Sequence, residues 1–352
     1  MSDLGPLQPL MDDPSVMEIM INRYDDVYVE RNGRLEFVPN VFDDQNALMR
    51  LVTENILLES GFRGESPSAV DVRLTRDARA HVVFPPIAAN GPSLVIRKFR
   101  FNQLDMDRLI EVGSLTPDMA QFLIACVKAG LNICVAGGIG SGKTTVLNAL
   151  CNFIPKDERI ITLEYDGELQ IAHPHQVNLE TRAPGASSLH AFTMQQLISS
   201  ALKMRPDRII LSEARGAEVW EYLQAMYTGI EGSLFSIHAT SVLDVLTRLE
   251  VMAIQANPAL PMLAIRHYLA GALHLILQQN RLQDGTRKII NVAEVTGLRG
   301  DRVVTQPIFE FIQSGVEDGR IVGQAQPTGS VPSFMQRFRD MGIDLPDTIF
   351  KI

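Results

Sequence analysis

Apolar and polar residues alternate through Val27-Tyr-Val-Glu30 and Leu35-Glu-Phe-Val38. The two runs flank Asn32-Gly33, where both positions tolerate a positive φ, so the pattern predicts a tight β-hairpin. After Asp43-Asp44 the spacing changes. Leu48, Leu51, Val52 and Ile56, with Leu58 at the margin, fall on one side of a helix that Gly61 should stop. Short strands are expected at 70–74, 79–84 and 94–99, punctuated by Pro85-Pro86 and Gly91-Pro92.

Beyond a junction at 101–112 the order of elements changes. Thr116 caps a helix with Pro117 at its first position, and Gly130 ends it. Strands are expected at 131–136, 160–163, 208–211 and 234–237, with helices at 143–153, 193–204 and 217–227. Such alternation implies α/β architecture, a mainly parallel sheet with helices on both faces, whose ligands bind at the carboxyl ends of the strands. Two more helices, 243–256 and 262–272, precede a late strand pair at 287–295 and 302–311. The Gly-rich stretch 315–332 is expected to be loose.

Composition narrows the class. The 352 residues suggest two domains, and 46% hydrophobic with 21% charged residues is a globular balance. The net charge of -9 argues against coating duplex nucleic acid, which needs clustered Lys and Arg. Cys126, Cys134 and Cys151 sit in apolar stretches without a CxxC pair and read as buried core residues of a reducing compartment. The 14 methionines read as core filler. His173-Pro-His175 and His190 lack the Cys or carboxylate partners of a four-ligand metal set. The N-terminus has no signal-peptide pattern, and no apolar run reaches membrane-span length; the longest candidate, near 269–277, is interrupted by Gly271 and His274.

The chemistry centres on Gly137-Gly138-Ile-Gly140-Ser141-Gly142-Lys143-Thr144, followed by Thr145. Glycines let backbone amides wrap closely around oxyanions, and the start of the following helix favours negative charge. In such a P-loop, Lys143 reaches the β- and γ-phosphates and Thr144 offers its hydroxyl to Mg²⁺. Arg208-Ile-Ile-Leu-Ser-Glu213 is an apolar strand ending in a carboxylate, the Walker B arrangement that serves magnesium or water. No Asn/Thr-Lys-x-Asp base-reading segment and no Leu-Ser-Gly-Gly-Gln signature occurs, which sets GTPases and ABC ATPases aside.

With these motifs the chain resembles secretion ATPases of the type II/type IV superfamily, in the tight-adherence (Flp) pilus assembly branch, the CpaF-like proteins. The resemblance runs through Val-Tyr-Val-Glu-Arg-Asn-Gly33, Ile96-Arg-Lys-Phe99, the P-loop, Arg159-Ile-Ile-Thr-Leu-Glu164 and Leu179-Glu-Thr-Arg182. It continues through Met204-Arg-Pro-Asp-Arg-Ile-Ile-Leu-Ser-Glu-Ala-Arg-Gly216, Gly232-Ser-Leu-Phe-Ser-Ile-His238-Ala and Val331-Pro-Ser-Phe. It implies a smaller α+β, PAS-like domain at 1–102, a linker at 103–113 and a RecA-like P-loop ATPase domain at 114–352. It further implies a homohexameric ring at the cytoplasmic face of the inner membrane, docked on a pilus or secretion platform protein and using ATP with Mg²⁺.

Carried over by position, Glu164 is the family's Asp-box acid, holding magnesium or water with Glu213, and His238 senses the γ-phosphate. Arg79 and Arg97 are the amino-terminal domain's phosphate arginines, and Arg182 is a further candidate. Two departures stand out. Tyr165 occupies the place of the family's second acid, with Asp166 one place later, and Arg76-Asp-Ala-Arg79 replaces its Asp-Gly-Ser-Arg turn. A RecA-like nucleic-acid motor and an ATP-binding regulator without turnover remain as alternatives.

Overall fold

The structure is a computed structural model that describes residues 4–31, 34–57, 68–75, 78–98, 105–165, 167–182 and 191–352. Contacts divide it into two compact units, one built on residues 4–98 and the other on 105–182 and 192–352.

Among the described residues of the first unit, six antiparallel strands form one sheet: β1 (Val16–Arg23), β2 (Asp26–Arg31), β3 (Arg34–Phe37), β4 (Ala69–Thr75), β5 (Ala78–Val83) and β6 (Ser93–Lys98). Their order is β3-β2-β1-β6-β5-β4. Ile19, Ile21, Val29, Ala80, Val82, Leu94 and Ile96 bury one face against Leu48, Val52 and Ile56. The helix bearing those residues starts where Asp44 accepts the Ala47 amide, as its sequence suggests. Strands β2 and β3 pair around Asn32-Gly33, which lie outside the described residues, as does Gly61. Strand β1 was not foreseen. A register shift between Val16 and Glu18 puts Val16, Ile19 and Ile21 out of simple alternation, which hides its period.

The second unit is a mixed α/β layer structure. Its nine strands are β7 (Ile133–Gly137), β8 (Ile160–Glu164), β9 (Gln176–Glu180), β10 (Arg208–Ala214), β11 (Leu234–His238), β12 (Leu275–Arg281), β13 (Arg287–Arg299), β14 (Arg302–Glu317) and β15 (Arg320–Pro327). The order is β15-β14-β13-β12-β7-β11-β10-β8-β9. Neighbours from β12 through β9 run parallel, and β12 through β15 form an antiparallel meander.

Strand residues alternate between two cores. Ile133 and Val135 pack with the helices Pro117–Lys128 and Lys143–Cys151; Cys134 and Ala136 pack with the helices Val219–Tyr227, Val242–Ala256 and Met262–Ala272. A helix, Met106–Glu111, lies within 103–113 and buries Met106 and Leu109 in the first of these cores. The three thiols are buried, and burial pushes each well above the ordinary range, so none is reactive.

Three elements differ from expectation. The stretch 315–332 is not loose: β14 runs to Glu317 and β15 follows. Gly323 is there for close packing, since a Cβ would stand 2.6 Å from the Ile312 carbonyl. Strand β12 was hidden because its apolar residues run on from the preceding helix, so no change of period marks the boundary. Strand β9 is a short edge strand with little apolar content.

At the amino ends of the strands, Arg208 is almost fully buried. It pairs with Glu158 and donates to the Val127 carbonyl at 2.6 Å. Gly232 must lack a side chain there, because a Cβ would meet the guanidinium at 2.6 Å. This pinning orients β10, whose opposite end delivers Glu213.

Candidate nucleotide site

The parallel strands end together on one edge, where β7 turns into the helix Lys143–Cys151 through residues 138–142. Gly142 takes φ 95°, a conformation that a Cβ would strain. Gly137 lies so close to β12 that a Cβ would stand 2.3 Å from the Gln279 carbonyl. The Ser141 hydroxyl closes the loop by donating to the Gly138 carbonyl at 2.9 Å. No side chain caps the first amides of the helix, so they remain donors for an acceptor from outside, the standard setting for phosphate. Ile139 projects from the loop, 87% exposed.

Lys143 is buried over the loop and donates to the Gly138 carbonyl at 3.1 Å. Its Nζ also lies 3.2 Å from His238 Nδ1. An ammonium can only donate, so Nδ1 accepts and the imidazole proton sits on Nε2. Nε2 in turn stands 2.6 Å from Glu213 Oε1, and Glu213 Oε2 accepts from Arg215 Nε at 2.5 Å. Burial and the Lys143 charge hold the His238 pKa below its ordinary value, keeping the ring neutral, and burial lowers that of Lys143. Glu213 Oε1 is buried with no aligned hydrogen bond among the described residues. A cation from the start of the helix after β7 and a carboxylate from β10 thus flank a neutral imidazole from β11.

The acids Glu164, at the end of β8, and Glu168, beyond it, have different settings. Glu164 is buried, with Oε2 accepting the Leu169 amide at 2.7 Å and Oε1 the Thr162 hydroxyl at 3.1 Å. Burial pushes its carboxyl up to about 7. It supports the loop that follows. Glu168, which sequence reasoning passed over, stands where its Oε2 accepts the Thr144 hydroxyl at 3.4 Å. The signal was an acid four residues after Glu164; Asp166 lies outside the described residues.

Tyr165 donates to Glu218 at 3.0 Å and lies beneath the Arg215 guanidinium. Thr145 is half-buried on the first turn of the helix. Arg182 lies past β9, where its backbone pairs with Phe192. Arg79 and Arg97 face each other across β5 and β6 in the first unit, pairing there with Asp71 at 3.2 Å and Glu18 at 3.4 Å respectively. His173 reaches the Pro155 carbonyl, His175 meets Arg159, and His190 lies outside the described residues.

A magnesium ion fits this donor set. The Thr144 hydroxyl, Glu168 and the orphaned oxygen of Glu213 are hard oxygen donors, the type this ion takes, near a loop shaped for phosphate.

Residues 1–306 match the family described as Type II/IV secretion system protein. The type IV secretion system protein VirB11 of Brucella suis is 32% identical over 318 residues, covering 82% of this chain and 88% of that one. Among solved structures, the pilus retraction motor PilT with bound ADP superposes with TM-score 0.58 at 17% identity, covering 97% of this chain and 87% of that one. The ATPase DotB of Legionella pneumophila gives 0.54 at 17% identity, covering 80% of this chain and 77% of that one. These two likenesses establish a shared RecA-like fold.

Proposed function

This chain belongs to the type II/IV secretion system protein family, and we propose that it is an ATP-hydrolysing motor powering assembly of a pilus of the tight-adherence type or a related secretion apparatus. The observation that carries the reading is the linked set Lys143, His238 and Glu213 at the mouth of the glycine loop.

ATP is the substrate. The amides of the loop and Lys143 take its phosphates, and Thr144, Glu168 and Glu213 would hold magnesium, which would supply charge neutralisation to the transferring phosphoryl group. Lys143 exchanges its His238 contact for phosphate oxygens. His238, left with its proton on Nε2, keeps its place beside Glu213 and reports the presence of the terminal phosphate. Glu213 orients the attacking water. Arg79, Arg97 and Arg182, carried over by position, are proposed to neutralise triphosphate charge. The family likeness also supports a homohexamer working at the cytoplasmic face of a membrane with a platform protein as partner. No described helix is long and apolar enough to cross a membrane.

Lys143→Ala should reduce steady-state ATPase activity by roughly a hundredfold or more, because a phosphate-binding cation is lost in a desolvated site. Full activity in that variant would refute the assignment. Sizing with a non-hydrolysable ATP analogue tests the ring, and a strict monomer would oppose it.

A further inference from the structure

The hairpin joining β12 to β13 lies against the phosphate loop and brings two arginines to it. Arg281 and Arg287 are direct cross-strand partners at its base. Arg287 Nε donates to the Gly140 carbonyl at 2.8 Å. Its stem runs along the loop, since a Cβ on Gly142 would stand 3.1 Å from Arg287 Cδ. A Cβ on Gly140 would come within 3.9 Å of Arg281 Nη1. Both side chains are exposed.

The hairpin is stiff. Leu282 and Thr286 close its turn at 2.8 Å, and Asp284 accepts the Thr286 amide at 2.9 Å and hydroxyl at 2.7 Å. The second oxygen of Asp284 accepts the Ile321 amide at 2.8 Å, fastening the turn to β15.

A loop that turns its amides toward phosphate turns carbonyls outward, and such a carbonyl gains from a charged donor that holds it there. Two guanidinium groups side by side repel each other, a cost that a polyanion removes. We propose that Arg287 is a positioning residue that clamps the phosphate loop through the Gly140 carbonyl, and that Arg281 beside it contributes a cation to the phosphates of the bound nucleotide. The inference rests on the ATP-site reading above.

The test is calorimetric binding of Mg-ADP to the full chain, with steady-state ATPase kinetics alongside. Arg281→Ala and Arg287→Met should each raise the ADP Kd about tenfold, the equivalent of one charge-assisted contact. The loss should appear mainly in KM rather than kcat. Arg287→Lys, which keeps a donor, should recover most of the affinity that Arg287→Met loses. Melting without nucleotide should match the parent for all three, as the side chains are exposed. An unchanged Kd in Arg281→Ala overturns the cation assignment, and an unchanged Kd in Arg287→Met overturns the clamp. Failure of the parent chain to bind ADP, or retention of binding in Lys143→Ala, would instead sink the site reading.

Discussion

The guanidinium of Arg215 lies over the ring of Tyr165, 4.1 Å from its centroid. The same guanidinium donates to Glu213, and the Tyr165 hydroxyl reaches Glu218, which also accepts the amides of Arg215 and Gly216. Tyr165 therefore braces the Glu213 carboxylate through Arg215. Cation–π support of about 1 kcal/mol corresponds to roughly fivefold in rate if it acts through Glu213 orientation. Tyr165→Leu should lower kcat by about that factor with KM retained. Tyr165→Phe, which keeps the ring, should stay within about twofold of the parent. Equal kcat in all three proteins would show that Arg215 is held by other means.

Glu168 and Glu164 make separable predictions. Glu168 accepts the Thr144 hydroxyl, whereas both oxygens of Glu164 are engaged by protein donors. Glu168→Gln should raise the magnesium concentration for half-maximal turnover by about tenfold, the scale of a lost metal contact. Glu164→Gln should leave it nearly unchanged. A magnesium titration of ATPase activity decides the matter, and the reverse outcome would return the metal role to Glu164.

His274 predicts a pH effect remote from the site. Its Nδ1 accepts the Asn132 amide at 3.0 Å, and burial, with Arg337 nearby, lowers its pKa from 6.5. A depressed folded-state value means the stabilising contribution is present above pH 6.5 and is lost as the pH falls through the folded value. Thermal unfolding should show the parent losing stability from pH 8 towards 5. In His274→Gln this component of the slope should vanish, with a cost of about 1 kcal/mol at pH 8. Parallel profiles for both proteins would argue against it.

Arg208 tests the opposite end of the sheet. It is buried and relies on Glu158 for its counter-charge. Glu158→Ala should destabilise the chain by about 3 kcal/mol, since it strands a buried cation. Urea unfolding reads this directly, and a change below about 1 kcal/mol would show that the carbonyls of Val127 and Gly232 suffice.

How much of this was legible depended on the range of each interaction. The hairpin at Asn32-Gly33 and the capped helix after Thr116 are local patterns, and the flanking strands and the helix formed as expected. Strand β12 blended into the helix before it. Strand β15 was masked by the glycines of its stretch, of which Gly323 serves close packing with β14. Lys143, Glu213 and His238, each ending or following an apolar strand, lie together as candidates that local sequence could name. Glu168 could not be picked out, because the path of the chain after β8 decides which acid meets Thr144.

The sequence by itself determined the phosphate loop and the alternating α/β order. Both arise from contiguous residues whose conformational needs, glycine at the tight backbone and apolar runs in the buried strands, are independent of distant chain. Tertiary structure alone decided the partners: His238 standing midway from Lys143 to Glu213, Tyr165 under Arg215, and Arg287 on Gly140 from 147 residues away. Those contacts exist only once strand order and register are set. In a parallel sheet the order comes from how the helices pack, so no local pattern announces which side chains will share its edge.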